Sequence, residues 1–132
     1  MRIGGFYFQD GKKKYLPAKV DGCEEDLINA IQLLAKYDGI FSAEEVLDDD
    51  YLKEISIYFS REMYFPFLTD GENGNANYFT LNSNEFHGDH VIDFTGEAFP
   101  ASAATKNLEL IKIICLRFFR GASVSEYFQI KL

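Results

Sequence analysis

The chain opens on a β-prone run from Ile3 to Gln9 that meets a turn signal at Asp10-Gly11 and returns through Lys12–Lys14 and Tyr15–Val20, the pattern of a hairpin. The hydrophobic period then changes. Asp21 is placed to cap a helix with Glu24 three residues on, and Leu27, Ile31, Leu34 and Ala35 recur at helical spacing until Asp38-Gly39. Ser42-Ala43-Glu44-Glu45 has the form of a second capping box and predicts a short helix that ends before Asp48-Asp49-Asp50. From Tyr51 to Ser60 the chain alternates, with Tyr51, Lys53, Ile55, Ile57 and Phe59 on the drier side of a strand. Met63 to Thr69 is again β-prone, and Pro66 within it predicts an edge position or a bulge. Asn73-Gly74 marks a hairpin tip within Asp70–Asn75, and Asn77–Asn82 supplies the returning strand. A further strand is predicted from His90 to Thr95. Past Pro100 a helix is predicted from Ser102 to Phe119, with an apolar stripe at Leu108, Ile111, Cys115 and Phe118. Gly121 closes it, and Glu126–Leu132 alternates as a last strand.

Strands and helices in this order do not repeat as βαβ units. The pattern predicts an α+β fold: one domain over residues 1–132, with an antiparallel or mixed sheet of about six or seven strands and two main helices packed on it. The length suits a single core. With 47% hydrophobic and 16% aromatic residues the chain lies outside the low-hydrophobicity regime of disorder. Its thirteen Phe and eight Tyr are expected mostly inside, although Tyr is also favoured at protein interfaces.

Charge changes the picture. Between Asp21 and Ala98 eighteen carboxylates face only Lys36, Lys53 and Arg61, a local net charge of −15, while residues 1–20 carry +4 and residues 99–132 carry +3. Such a field attracts basic partners and repels nucleic acid and anionic lipid. Helix starts account for Glu24, Glu25, Asp26, Glu44 and Glu45 in this reading, because carboxylates there oppose the helix dipole.

No chemistry of a catalytic kind accompanies the acid. Cys23 and Cys115 form no CxxC pair, no Gly-x-Ser-x-Gly elbow occurs, and Gly4-Gly5 lacks the spacing of a phosphate loop. The expectation is a protein that is not an enzyme and takes no cofactor. His87-Gly88-Asp89-His90 has suitable metal-ligand types, so a small metal-binding or hydrolytic protein centred on His87, Asp89 and His90 is the alternative. Residues three apart on a strand or turn do not converge, however, and no third His exists, so no obligatory metal is expected. Asp48-Asp49-Asp50 lacks the alternating ligands of a calcium loop and reads instead as part of a contact patch. Lys12-Lys13-Lys14 is too short a basic run for nucleic-acid binding. The N-terminus lacks a signal-peptide pattern and no stretch reaches about 18 apolar residues, so a cytoplasmic protein with no membrane contact is expected.

The last third places a strand Val91–Thr95, the connection Gly96-Glu97-Ala98-Phe99-Pro100, a helix ending in Leu116-Arg117-Phe118-Phe119-Arg120-Gly121, and a closing strand Tyr127–Lys131. This order resembles the end of a family of bacterial polymorphic-toxin immunity proteins, including some from contact-dependent growth inhibition systems. That family's Pro after the Gly and Trp in the last strand are absent, with Val124 and Phe128 nearby. The resemblance implies stoichiometric inhibition: binding, in the cytoplasm, of the C-terminal toxin domain of a cognate secreted effector. The toxin would be a nuclease whose basic active-site surface is covered. The contacts expected on that basis are Asp48, Asp49, Asp50 and Glu54 at one end of the central strand, Asp70 and Glu72 at the hairpin tip, and Glu85 and Asp89 beyond. Tyr51, Tyr58 and Tyr78 are the expected aromatic anchors.

Overall fold

The computed structural model describes residues 1–46, 51–72, 74–92 and 96–132. Among these residues nine strands occur in chain order with two α-helices: β1 (Arg2–Gln9), β2 (Lys12–Tyr15), α1 (Glu24–Lys36), β3 (Gly39–Val46), β4 (Tyr51–Ser60), β5 (Met63–Glu72), β6 (Asn77–Thr80), β7 (His90–Ile92), β8 (Ala98–Pro100), α2 (Leu108–Phe119) and β9 (Ile130–Lys131). Seven strands form one sheet in the order β2-β1-β3-β4-β5-β6-β9, with every pairing antiparallel, and β7 and β8 form a separate two-stranded ribbon. The α+β class and the single sheet bearing two helices are as the sequence predicts.

Both helices bury their apolar stripes on the same side of the sheet. Leu27, Ala30, Ile31 and Leu34 of α1 and Ile111, Ile114, Cys115 and Phe118 of α2 pack with Phe41, Ala43, Ile55, Ile57 and Phe59 from the central strands. The Leu, Ile and Phe side chains among them each contribute about 1.5–3 kcal/mol by leaving water. Burial also pushes the Cys115 thiol far above its ordinary pKa, so this sulfur behaves as a small hydrophobe. At the start of α1 the Asp26 carboxylate accepts the Cys23 N–H at 3.0 Å and the Lys19 ammonium at 2.7 Å. The backbone donor first, and then Lys19, hold the Asp26 pKa down at about 2. The cap is therefore Cys23 with Asp26, two residues beyond the expected Asp21 and Glu24.

The turn joining β1 to β2 is the expected two-residue turn, with Asp10 and Gly11 both at positive φ. Gly5 in β1 sits at φ +147°, and a Cβ there would lie 2.2 Å from the Ile40 carbonyl oxygen, so the close approach of β1 to β3 requires glycine.

Several local signals yield to tertiary pairing. Ser42–Glu45 is not a helix start: it lies within β3, between β1 and β4, where Phe41 and Ala43 alternate into the core. Pro66 lies in an internal strand, yet β6 pairs with β5 only from Phe67 onward, and Thr105 bridges β5 at Tyr64. The missing N–H of Pro66 falls in the gap between those two ladders, so its position is locally an edge. The helix expected from Ser102 begins at Leu108, capped by Asn107. Residues Ala101–Ala103 form a 3-10 turn, and the Thr105 N–H and C=O both bond to Tyr64. The strand expected from Glu126 is only Ile130–Lys131, and β8 was not anticipated. Of the strand expected over His90–Thr95, residues 90–92 form β7 and residues 93–95 lie outside those described.

Candidate functional site

Residues directly opposite one another in an antiparallel ladder share a face, so the register can be read as ranks across the sheet. On the side away from the helices one rank runs Arg2, Glu44, Glu54, Thr69, Tyr78, and the next runs Gly4, Ser42, Ser56, Phe67, Thr80. A third holds Phe6, Ile40, Tyr58 and Phe65. The β7–β8 ribbon covers part of this face. Phe99 of β8 stacks on Phe65, Tyr58 and Phe67 with ring centroids 5.0, 5.4 and 5.5 Å away, which creates a second small apolar cluster.

The same face carries a groove of about 390 Å³. Tyr58, Phe67 and Phe99 form its apolar wall, Ser56 and Thr69 line it with hydroxyl groups, and Glu54 contributes the carboxylate. Tyr78 and Leu132 form the outer rim and are 53% and 60% exposed, high values for residues of such apolar area. The Tyr58 and Phe67 rings meet edge to face at 5.6 Å, so the wall is held rigidly.

Glu44 and Glu54 stand directly opposite each other across β3 and β4. Arg2 engages only the first, with Nη1 donating to Glu44 Oε1 at 2.8 Å. Glu54 Oε1 accepts the Ser56 hydroxyl at 2.9 Å, and among the described residues no cation pairs with it. The pair thus carries two negative charges against one positive.

A model of the family of unknown function DUF6911 matches residues 1–128. The chain belongs to that family. The crystal structure of a hypothetical protein from Neisseria gonorrhoeae has the same fold as this DUF6911 chain, with a TM-score of 0.74 over 99% of this chain and 92% of that one, at 20% identity. No curated protein matches it.

The DUF6911 fold distributes the expected contact residues unevenly. Glu54, Tyr58 and Tyr78 come together in the groove. Tyr51, Asp70 and Glu72 lie on the other side of the sheet, where the Tyr51 hydroxyl donates to Asp70, which raises the Tyr51 pKa, and Glu72 stands opposite Tyr51. Asp70 lies near the end of β5, and Glu72 is its last residue, with a backbone carbonyl that accepts the Asn75 N–H. Glu85 serves the fold. Burial pushes its pKa up, but the Lys106 N–H at 3.0 Å and the Thr105 and Ser83 hydroxyls outweigh that and hold it below the ordinary value. Asp89 is exposed just before β7, and its backbone carbonyl accepts from Ala101. Asp48, Asp49 and Asp50 lie outside the described residues.

His87 and His90 are exposed, and among the described residues no three His, Cys, Asp or Glu side chains converge as a metal site. Among the described residues no helix is long and apolar enough to cross a membrane. Sequence reasoning missed Arg2, Ser56, Thr69, Phe99 and Leu132. The alternation of β4 carried a signal for Ser56, since it shares parity with Glu54 and Tyr58.

Proposed function

We propose that this chain is an immunity protein that binds a cognate cytotoxic domain of nuclease type in the cytoplasm and covers its basic active-site surface. The observation that carries this reading is the helix-free face of the sheet, which gathers Glu54, Tyr58 and Tyr78 around one open groove. Helices clamp the other face, so this one is a preformed platform and little ordering free energy is lost on binding. Tyr rings supply contact area with a polar tip, and the carboxylates supply steering. The −15 segment raises the rate of encounter with a basic groove and makes that rate fall with salt. Occlusion of a nuclease groove requires no chemistry from the inhibitor.

The test starts from the neighbouring reading frame, where this reading places a large secreted protein with a toxic C-terminal domain. Expressed in the cytoplasm, that domain should arrest growth, co-expression of this chain should restore it, and the two should elute as a stoichiometric complex. Continued arrest with both proteins soluble and no complex would sink the proposal.

A further inference from the structure

We infer that the groove beside Glu54 is a receptor for one arginine side chain of the partner. The inference deepens the protein-binding reading and rests on it for its setting, but it names the group recognised. A guanidinium is planar, weakly hydrated and always charged; it stacks on aromatic faces and forks two N–H donors onto a carboxylate. The groove offers those complements together: the exposed ring of Tyr78, the Glu54 carboxylate, and the hydroxyls of Ser56 and Thr69. Its volume of about 390 Å³ lies within the range of about 300–1,000 Å³ usual for small-ligand pockets.

An independent observation points to a cation. Like charges directly opposite in an antiparallel ladder are destabilising, and Glu44 and Glu54 form such a pair in which, among the described residues, Arg2 is the one cation engaged. An arriving guanidinium supplies the missing positive charge. Arg2 already shows the arrangement on this face, since it reaches Glu44 from the neighbouring strand of the same rank. A lysine ammonium is a compact, strongly hydrated point charge and fits a wall of rings less well. Anionic groups are excluded by the same pair of carboxylates.

The probe is N-acetyl-L-argininamide, titrated into the full 15N-labelled chain and followed by amide chemical shifts. The expected result is a saturable response confined to residues around Glu54, Ser56, Thr69 and Tyr78. Affinity should be about tenfold weaker in Glu54→Gln, the loss of one charged hydrogen-bond pair. Gln keeps an acceptor for Ser56, and a melting temperature no lower than that of the parent chain shows that the variant folds. The uncharged analogue N-acetyl-L-norleucinamide should leave those amides unmoved, and N-acetyl-L-lysinamide should bind more weakly than the arginine compound. No saturable response up to about 50 mM, undiminished affinity in Glu54→Gln, or equal binding of the lysine or norleucine analogue would each overturn the inference. Because the probe is a small molecule, its failure leaves toxin binding standing. Conversely, a titration that succeeds beside a neighbour-encoded domain that forms no complex removes the immunity reading and keeps the arginine site.

Discussion

Replacing Glu54 by Gln should stabilise the fold, an unusual expectation for a partly buried residue with a hydrogen bond. The side chain keeps its length, and its amide oxygen still accepts the Ser56 hydroxyl now held at 2.9 Å. What disappears is the repulsion from Glu44 directly across the ladder. Two unit charges 4 Å apart in water interact by about 1 kcal/mol, and cross-strand pairs contribute about 0.2–1 kcal/mol. Arg2 screens part of this through its 2.8 Å contact with Glu44, so a gain of about 0.3–0.8 kcal/mol is expected. For a domain of this size that is a rise of about 1–4 °C in melting temperature. The assay is thermal denaturation followed by circular dichroism at pH 7, in low salt and in 1 M NaCl. The gain should shrink at high salt, where the Debye length falls to about 3 Å. A companion substitution, Arg2→Met, should cost more in the parent chain than in the Glu54→Gln background, because it exposes both carboxylates only in the former. A fall in melting temperature on Glu54→Gln, or a gain that does not respond to salt, would refute the like-charge argument.

Three further expectations follow from the packing and the ion pairs. Gly5→Ala should cost about 2 kcal/mol or more in urea unfolding, since its Cβ would meet the Ile40 carbonyl at 2.2 Å at φ +147°, whereas Gly4→Ala, with nothing within 4 Å, should stay within about 0.5 kcal/mol. Phe99→Ala should cost about 2–4 kcal/mol by emptying the cluster over Phe65 and Tyr58; a loss under about 1 kcal/mol would show that the β7–β8 ribbon is not part of the cooperative unit. Asp26 has a pKa held at about 2 against an ordinary 3.8, so its contribution is present above the ordinary value and is lost as pH falls through the folded one. Asp26→Asn should therefore lower the melting temperature at pH 7, and the difference from the parent chain should close between about pH 4 and pH 2; a difference that persists at pH 2 would count against the cap.

Much of the fold was legible because it rests on local rules. The Asp10-Gly11 turn, the spacing of Leu27, Ile31 and Leu34, and the alternation from Tyr51 to Ser60 each encode an element within about ten residues. Where the sequence misleads, a distant segment has taken over the backbone. Ser42–Glu45 carries the letters of a helix cap, but β1 and β4 occupy both its hydrogen-bonding edges. Thr105 lies inside the predicted helix, yet Tyr64 holds its N–H and C=O.

The candidate site divides in the same way. Residue type alone selected Glu54, Tyr58 and Tyr78 as contact residues, and the same criterion selected Tyr51, Asp70 and Glu72. Parity along β4 separates Tyr51 from Glu54, but only the register of β3, β5 and β6 places Tyr78 in the same rank as Glu54, sets Glu44 against it, and sends Asp70 and Glu72 to the opposite face. Phe99 joins them from β8, a strand that no local pattern announced. The sequence by itself determined the charge of this protein, its α+β class and a supply of apolar residues sufficient for a packed core, since these depend on composition and short-range period. Which carboxylates and rings share a surface was decided by the tertiary structure, because in a sheet a side chain's neighbours are set by long-range pairing and a shift of one residue would turn each of them to the other side.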